Sequence, residues 1–190
     1  VGVTIKINIT DKERQTCNDF AEARSESSGL YKKRGGFKEE DIISGAMGEI
    51  AVYKVLKKNG HTLRKPDFEI YAKRNKSYDS DLKSGNKHFH VKSQTTKSAA
   101  QYGKSWLCQR KDPLFSNSGY NHYLVTTIVD LDKNTVEVLG FFPMFSVIKK
   151  NLIGECKVPW FRDTKVALYH EQLSKGITTF QRWRVLEEGK

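Results

Sequence analysis

The densest collection of reactive side chains lies in Asp79-Ser-Asp-Leu-Lys-Ser-Gly-Asn-Lys-His-Phe-His-Val-Lys-Ser-Gln94. Ser84, Gly85 and Asn86 predict a tight turn between two strand ends. Beyond the turn, His88, His90, Lys92 and Gln94 fall on one face of a strand, because strand side chains repeat every two residues. Phe89 and Val91 point to the other face, toward a core. Asp79 and Asp81 lie on the strand end before the turn. The pattern sets carboxylate, imidazole, ammonium and amide above an apolar sheet.

Those groups suit phosphodiester hydrolysis. The reaction needs a nucleophilic water, charge stabilisation on the phosphoryl oxygens and help for the leaving group. Mg²⁺ supplies much of this from hard oxygen ligands and keeps several waters, so one or two carboxylates at a sheet edge can hold it. A neighbouring lysine stabilises developing negative charge and lowers the pKa of the attacking water. Asp81 and Lys92 fit these two roles. Asp67 and Asp79 stay open as alternatives for the acid. Pro66-Asp67 stands far from Lys92 in sequence, whereas Asp81 is nearest the turn and has a permitting strand parity. Two other readings stand beside this one. Asp81 and Lys92 could form a plain surface ion pair. His88 and His90 could begin a zinc site, but zinc takes three or four ligands and no helix offers a matching His or Cys pair.

The element that must bring a further carboxylate is a helix expected from Lys38 to about Lys58. Glu39, Glu40 and Asp41 favour its positive N-terminal end, and Asn59-Gly60 stops it. Ile50 to Leu56 is apolar on almost every side, which predicts a buried helix. Glu49 stands at the entrance to that segment, with Gly45 and Gly48 close by. A carboxylate there needs a partner, either a basic side chain or a metal.

An acid, a spacer and then Val91-Lys-Ser-Gln94 on the next strand resembles the PD-(D/E)xK nuclease superfamily. Gly45-Ala-Met-Gly-Glu-Ile-Ala51 on the upstream helix and a later hairpin ending in Gly140-Phe-Phe142 strengthen the likeness, which spans roughly Asp41 to Phe142. The resemblance implies a restriction-endonuclease-like α/β fold, with a mixed central β-sheet flanked by helices. It implies a Mg²⁺-dependent endonuclease acting on DNA. Asp81 would bind the metal, Lys92 would be the signature lysine and Glu49 the helix carboxylate. Gln94 would be the glutamine two residues past the lysine, and the Val91 carbonyl would face the metal. His90 departs from the pattern, which usually has Asp or Glu there. Imidazole suits Mn²⁺ better than Mg²⁺, so either Glu49 compensates, or the metal preference shifts to Mn²⁺, or activity is lost. The last case leaves a non-catalytic nucleic-acid-binding module.

Composition agrees with a polyanionic partner. The chain has 190 residues and a net charge of +11, with a pI near 9.5. Nucleic acid is the first candidate, since no basic amphipathic helix points to a membrane. No run of about 18 apolar residues predicts a membrane span. Cys17, Cys108 and Cys156 are too scattered for a disulfide framework or zinc ribbon. With no basic-then-apolar leader pattern, the expected location is cytoplasmic, in a bacterium or as a phage product. Length and the lack of linkers or repeats suggest one nuclease-like domain over 1–190. Many nucleases of this fold act as dimers, so a homodimer stays open, although no interface is legible.

The remaining elements follow from periodicity. Val1 to Ile9 alternates as a half-buried strand, and Thr10 or Asp11 caps a helix through Arg24. Ser25 to Gly36 reads as a mobile basic loop. Asp67 to Tyr71 reads as a short strand and Lys73 to Lys76 as a basic loop. Thr95 to about Gln109 is expected to be helical, with Gly103 interrupting, and Arg110 to Gly119 to be a loop. His122 to Asp130 and Thr135 to Phe142 form a hairpin, and Pro143 opens a short helix to Lys150. From Gly154 onward no element is assigned. Trp160, Arg162, Arg182, Trp183 and Arg184 offer stacking or packing.

Overall fold

The computed structural model describes residues 4–27, 39–70, 80–116 and 120–177. It shows a mixed α/β architecture around a curled mixed sheet. The expectations for residues 1–3, the basic stretches 28–36 and 73–76, Asp79 and the tail residues Arg182, Trp183 and Arg184 lie outside the described residues.

Strand β1 (Ile5–Asn8) leads into helix α1 (Asp11–Ser27). Thr10 closes a reciprocal cap: its N–H donates to Glu13 Oε2 at 2.8 Å, and its Oγ1 accepts from the Glu13 N–H at 3.3 Å. The helix runs on through Ser25 to Ser27, where the sequence suggested a loop. Helix α2 (Glu39–Lys58) forms as its charges and Asn59-Gly60 stop demand. Glu13 on α1 receives Lys54 of α2 at 2.6 Å, and Lys54 also donates to the Asn8 carbonyl.

Strand β2 (Leu82–Ser84) and β3 (Lys87–Thr95) make the expected hairpin, with Leu82 opposite Phe89. Gly85 takes φ +57° in the turn, a conformation that costs glycine little. Helix α3 (Thr96–Tyr102) ends at Gly103, whose φ is +75°. The second half of the expected helix is instead strand β4 (Ser105–Gln109), where Trp106 and Cys108 alternate inward. Pairing with a distant strand decides that segment against a weak local helical pattern. A single turn, α4 (Pro113–Ser116), follows.

Strands β5 (His122–Asp130) and β6 (Thr135–Pro143) pair antiparallel, with Leu139 as the extra residue of a bulge between Thr126 and Thr127. Helix α5 (Met144–Lys149) comes next, then β7 (Gly154–Glu155), β8 (Lys165–Tyr169) and helix α6 (His170–Gly176). Asp67 to Ile70 is not a strand. The Asp67 carboxylate accepts the Glu69 N–H at 2.9 Å, a local turn that competes with extended pairing.

The large sheet has the order β1-β6-β5-β3-β2, with β3 and β5 parallel and the other pairs antiparallel. One face carries Phe89, Val125, Val129, Val136 and Phe141 against Met47, Ile50 and Ala51 of α2. The other face meets a second, smaller sheet in the order β4-β8-β7, through Leu124, Phe142, Val166 and Leu168. Trp106 reaches across from β4, its indole N–H donating to the Thr127 carbonyl at 3.2 Å.

Candidate active site

Parity along β3 decides what each side chain can reach. Phe89 and Val91 pack into the α2-side core, while His90, Lys92 and Gln94 face the small sheet. Asp81 immediately precedes β2 and lies across from His90 at the open edge of the sheet. Its Oδ2 accepts the Val91 N–H at 2.7 Å. N–H and C=O of one strand residue point to the same side, so the Val91 carbonyl also faces the edge where Asp81 stands, beyond the start of β2.

Asp81 keeps exposed area at the edge, yet protein crowds it from the other directions. Desolvation therefore raises its pKa, against the Val91 N–H and the Lys92 ammonium, while Asp112 pushes the same way as burial. Glu49 on α2 is half-buried, and its pKa is raised well above the ordinary carboxylate value. Burial is the main cause, and the neighbouring Asp81 and Asp67 charges add to it against Arg24. The Asp81 charge thus bears on Glu49 from the sheet side. Gly48 lets α2 lie close on β3 and β5. A Cβ there would overlap Ser93 Oγ and lie 2.9 Å from Thr127 Oγ1.

Lys92 donates to Asp112 Oδ2 at 3.3 Å. Asp112 Oδ1 accepts the Leu114 N–H at 3.0 Å, which caps α4 and fixes the carboxylate. Burial disfavours the Lys92 charge, but Cys108, Asp112 and Asp81 together outweigh it and its pKa is raised. The Cys108 thiol is itself pushed up to about 11 by burial, so at neutral pH it is protonated and the carboxylates are the anions facing Lys92. Lys92 is therefore a cation, not a base. Asp112 is a functional candidate that the sequence does not mark: it falls in the stretch from Arg110 to Gly119 expected to be a loop, and nothing local places it beside Lys92.

His90 Nε2 lies 3.0 Å from His122 Nδ1. The His122 ring is nearly parallel to both His88, at 4.6 Å, and His90, at 5.3 Å. Burial and the neighbouring His122 and Lys92 push His90 down to about 4, so its imidazole is neutral. Among the described residues no group of three or more His, Cys, Asp or Glu able to hold a metal is found. His122 arrives through the parallel pairing of β5 with β3, a long-range event that spacing did not announce.

Gln94 is buried and has a structural task. Its Nε2 donates to the Gly103 carbonyl at 3.0 Å, and its Oε1 accepts the Ser105 N–H at 3.1 Å. These bonds tie β3 to the α3–β4 connection. The site therefore unites Asp81, Val91, Lys92 and Asp112, with Glu49 feeling the Asp81 charge from the helix layer and His90 opposite Asp81.

Comparison with protein-family models, with curated proteins and with solved structures finds no match. No helix among the described residues is long and apolar enough to cross a membrane.

Proposed function

We propose that this protein is a metal-dependent endonuclease hydrolysing DNA phosphodiester bonds, with a restriction-endonuclease-like fold. The observation that carries the reading is the convergence at one sheet edge of Asp81, the Val91 main chain and the Lys92 ammonium. The Glu49 carboxyl, which feels the Asp81 charge, and the +11 net charge support it. Mg²⁺ commonly takes one or two carboxylates and keeps its waters, so Glu49, Asp81 and the Val91 carbonyl fit it or Mn²⁺. The same set does not fit a closed zinc site, which needs four protein ligands. When bound, the metal would supply Lewis-acid polarisation of the phosphoryl group and an activated water.

The chain's own groups then have separate tasks. Asp112 holds the Lys92 side chain in place and keeps it charged. Lys92 stabilises negative charge on the phosphoryl oxygens. Neutral His90 adds no charge to repel the substrate and stays hydrogen-bonded to His122. Gln94 locks the strand that carries Lys92.

His90, in place of a third acid, and the lack of any group of three His, Cys, Asp or Glu side chains around one point among the described residues favour a second reading: a nucleic-acid-binding module whose metal site has decayed. Cleavage and binding measured side by side separate the two. Relaxation of supercoiled plasmid in Mg²⁺ or Mn²⁺, abolished by chelator and by Asp81→Ala, supports the enzyme. Salt-sensitive DNA binding without cleavage in either metal would leave the module.

A further inference from the structure

The outward face of the small sheet has a composition that the site does not explain. Residues of β4 and β8 alternate, so Trp106, Cys108, Val166 and Leu168 point inward, while Gln109, Lys165 and Tyr169 share the opposite face. Leu107 on that face is 39% exposed, while its cross-strand neighbour Ala167 is covered, so the face meets solvent at its β4 edge. Two lysines are held there by aromatic rings. Lys165 Nζ lies 4.3 Å from the centre of the Phe161 ring, and Lys157 Nζ lies 5.0 Å from that of Tyr169.

The Tyr169 ring is itself fixed. Its hydroxyl donates to the Glu155 carbonyl at 2.8 Å. It lies against Gly154, where an added Cβ would stand 2.9 Å from the ring. Glycine at this position is what lets the ring lie over β7 and support Lys157. At the end of β4, Arg110 donates to the Arg162 carbonyl at 2.9 and 2.6 Å, which pins both basic residues in one loop pair. Lys111 follows, exposed, and the next residue is Asp112, the partner of Lys92. Glu155, Asp163 and Glu171 are acids interspersed here, Glu171 within reach of the Lys157 charge and paired with Lys175, so the surface keeps a positive balance.

Flexible lysines lose rotamer freedom when they grip a ligand. Ammonium groups already parked over rings have lost part of it in advance, which favours binding over simple solvation. Two of the cations are pre-positioned over rings, and the connection to Lys92 runs through Lys111, the residue before its partner Asp112.

We propose that this face, through Lys157, Lys165, Arg110 and Lys111, is a track for the phosphate backbone of a nucleic-acid strand that reaches the Lys92 site. The direction of the track rests on the nuclease reading, but binding on the face does not.

The test is fluorescence anisotropy of a labelled 20-mer DNA, as single strand and as duplex, with the full chain in EDTA so that nothing is cut. Lys157→Glu/Lys165→Glu should weaken binding about tenfold or more. Neutral Lys157→Gln/Lys165→Gln should reduce the salt slope by about 2, one for each lost phosphate contact. The control is Lys12→Glu/Lys57→Glu on the helix layer, expected to stay within about twofold because only contacted charges enter the slope. Circular dichroism and Tm check that each variant folds, and the neutral pair serves if the charge-reversed pair does not. Equal weakening by test and control pairs would overturn the track, as would no weakening by either. So would equally tight binding of an acidic peptide, lost in the same variants. A face that binds while no metal supports cleavage sinks the nuclease reading alone. Unchanged DNA affinity with intact cleavage sinks the track alone.

Discussion

Glu49 and Asp81 hold their protons more tightly than ordinary carboxyls chiefly because each is desolvated, and the Asp81 charge adds to the effect at Glu49. The consequence for stability has a definite sign. A carboxyl whose folded pKa is raised contributes stability below its unfolded value, here near 4.5 for Glu49. That contribution is lost as pH rises through the raised folded value. Glu49→Gln, which never ionises, should therefore raise the metal-free Tm at pH 8 by about 2–4 °C, the shift that about 1 kcal/mol produces in a chain of this size. The gain should vanish at pH 4. Mg²⁺ should raise the Tm of the native protein at pH 8 and leave that of Glu49→Gln unchanged, because binding needs the ionised pair. At Lys92, loss of the Asp112 charge lowers the lysine pKa. Asp112→Asn should cut the cleavage rate about tenfold, the usual scale for an outer-sphere partner, and move the alkaline limb of the pH–rate profile to lower pH. A KM effect alone, with an unmoved limb, would mean that Asp112 only shapes the surface.

At the scale of elements, the site depends on how closely α2 approaches β3. Gly48→Ala should destabilise the protein by about 1–3 kcal/mol, the usual range for an overpacked contact. Adding Ser93→Ala should restore part of the loss, since Ser93 Oγ is the atom in the way. Thermal or urea unfolding of the single and double variants checks this. Gln94→Ala breaks the tie to α3 and β4 and should cost about 1–3 kcal/mol through unsatisfied backbone groups, with metal binding retained in calorimetry. Elements with strong local signals were legible in the sequence. The β-branched run from His122 to Asp130, the Leu131–Asn134 turn and the charged N-terminal end and Asn59-Gly60 stop of α2 each carry their own local signal. Asp67 read as a strand because Phe68 and Ile70 alternate, but the Asp67 side chain bonds its own backbone instead. Ser105 to Gln109 became a strand only because β8, some sixty residues away in sequence, pairs with it.

For the whole molecule, the informative event is the layering of two sheets. Strand parity alone placed Lys92 and His90 on the face opposite Phe89, and the structure keeps them there. It could not say that the small sheet would cover that face and deliver Asp112, nor that β5 would pair parallel to β3 and bring His122. Both depend on contacts between segments far apart in sequence. The strong positive charge adds a long-range field that favours polyanions whatever the site does. Binding strength alone therefore does not test the chemistry. Cleavage of plasmid DNA by the native protein and by Lys92→Ala, in Mg²⁺ and in Mn²⁺, is the most direct test. The account predicts metal-dependent cleavage that falls about 10²–10³-fold in the variant, the cost typical of removing one charge-stabilising donor, with DNA affinity nearly unchanged. Equal cleavage by both proteins would contradict it.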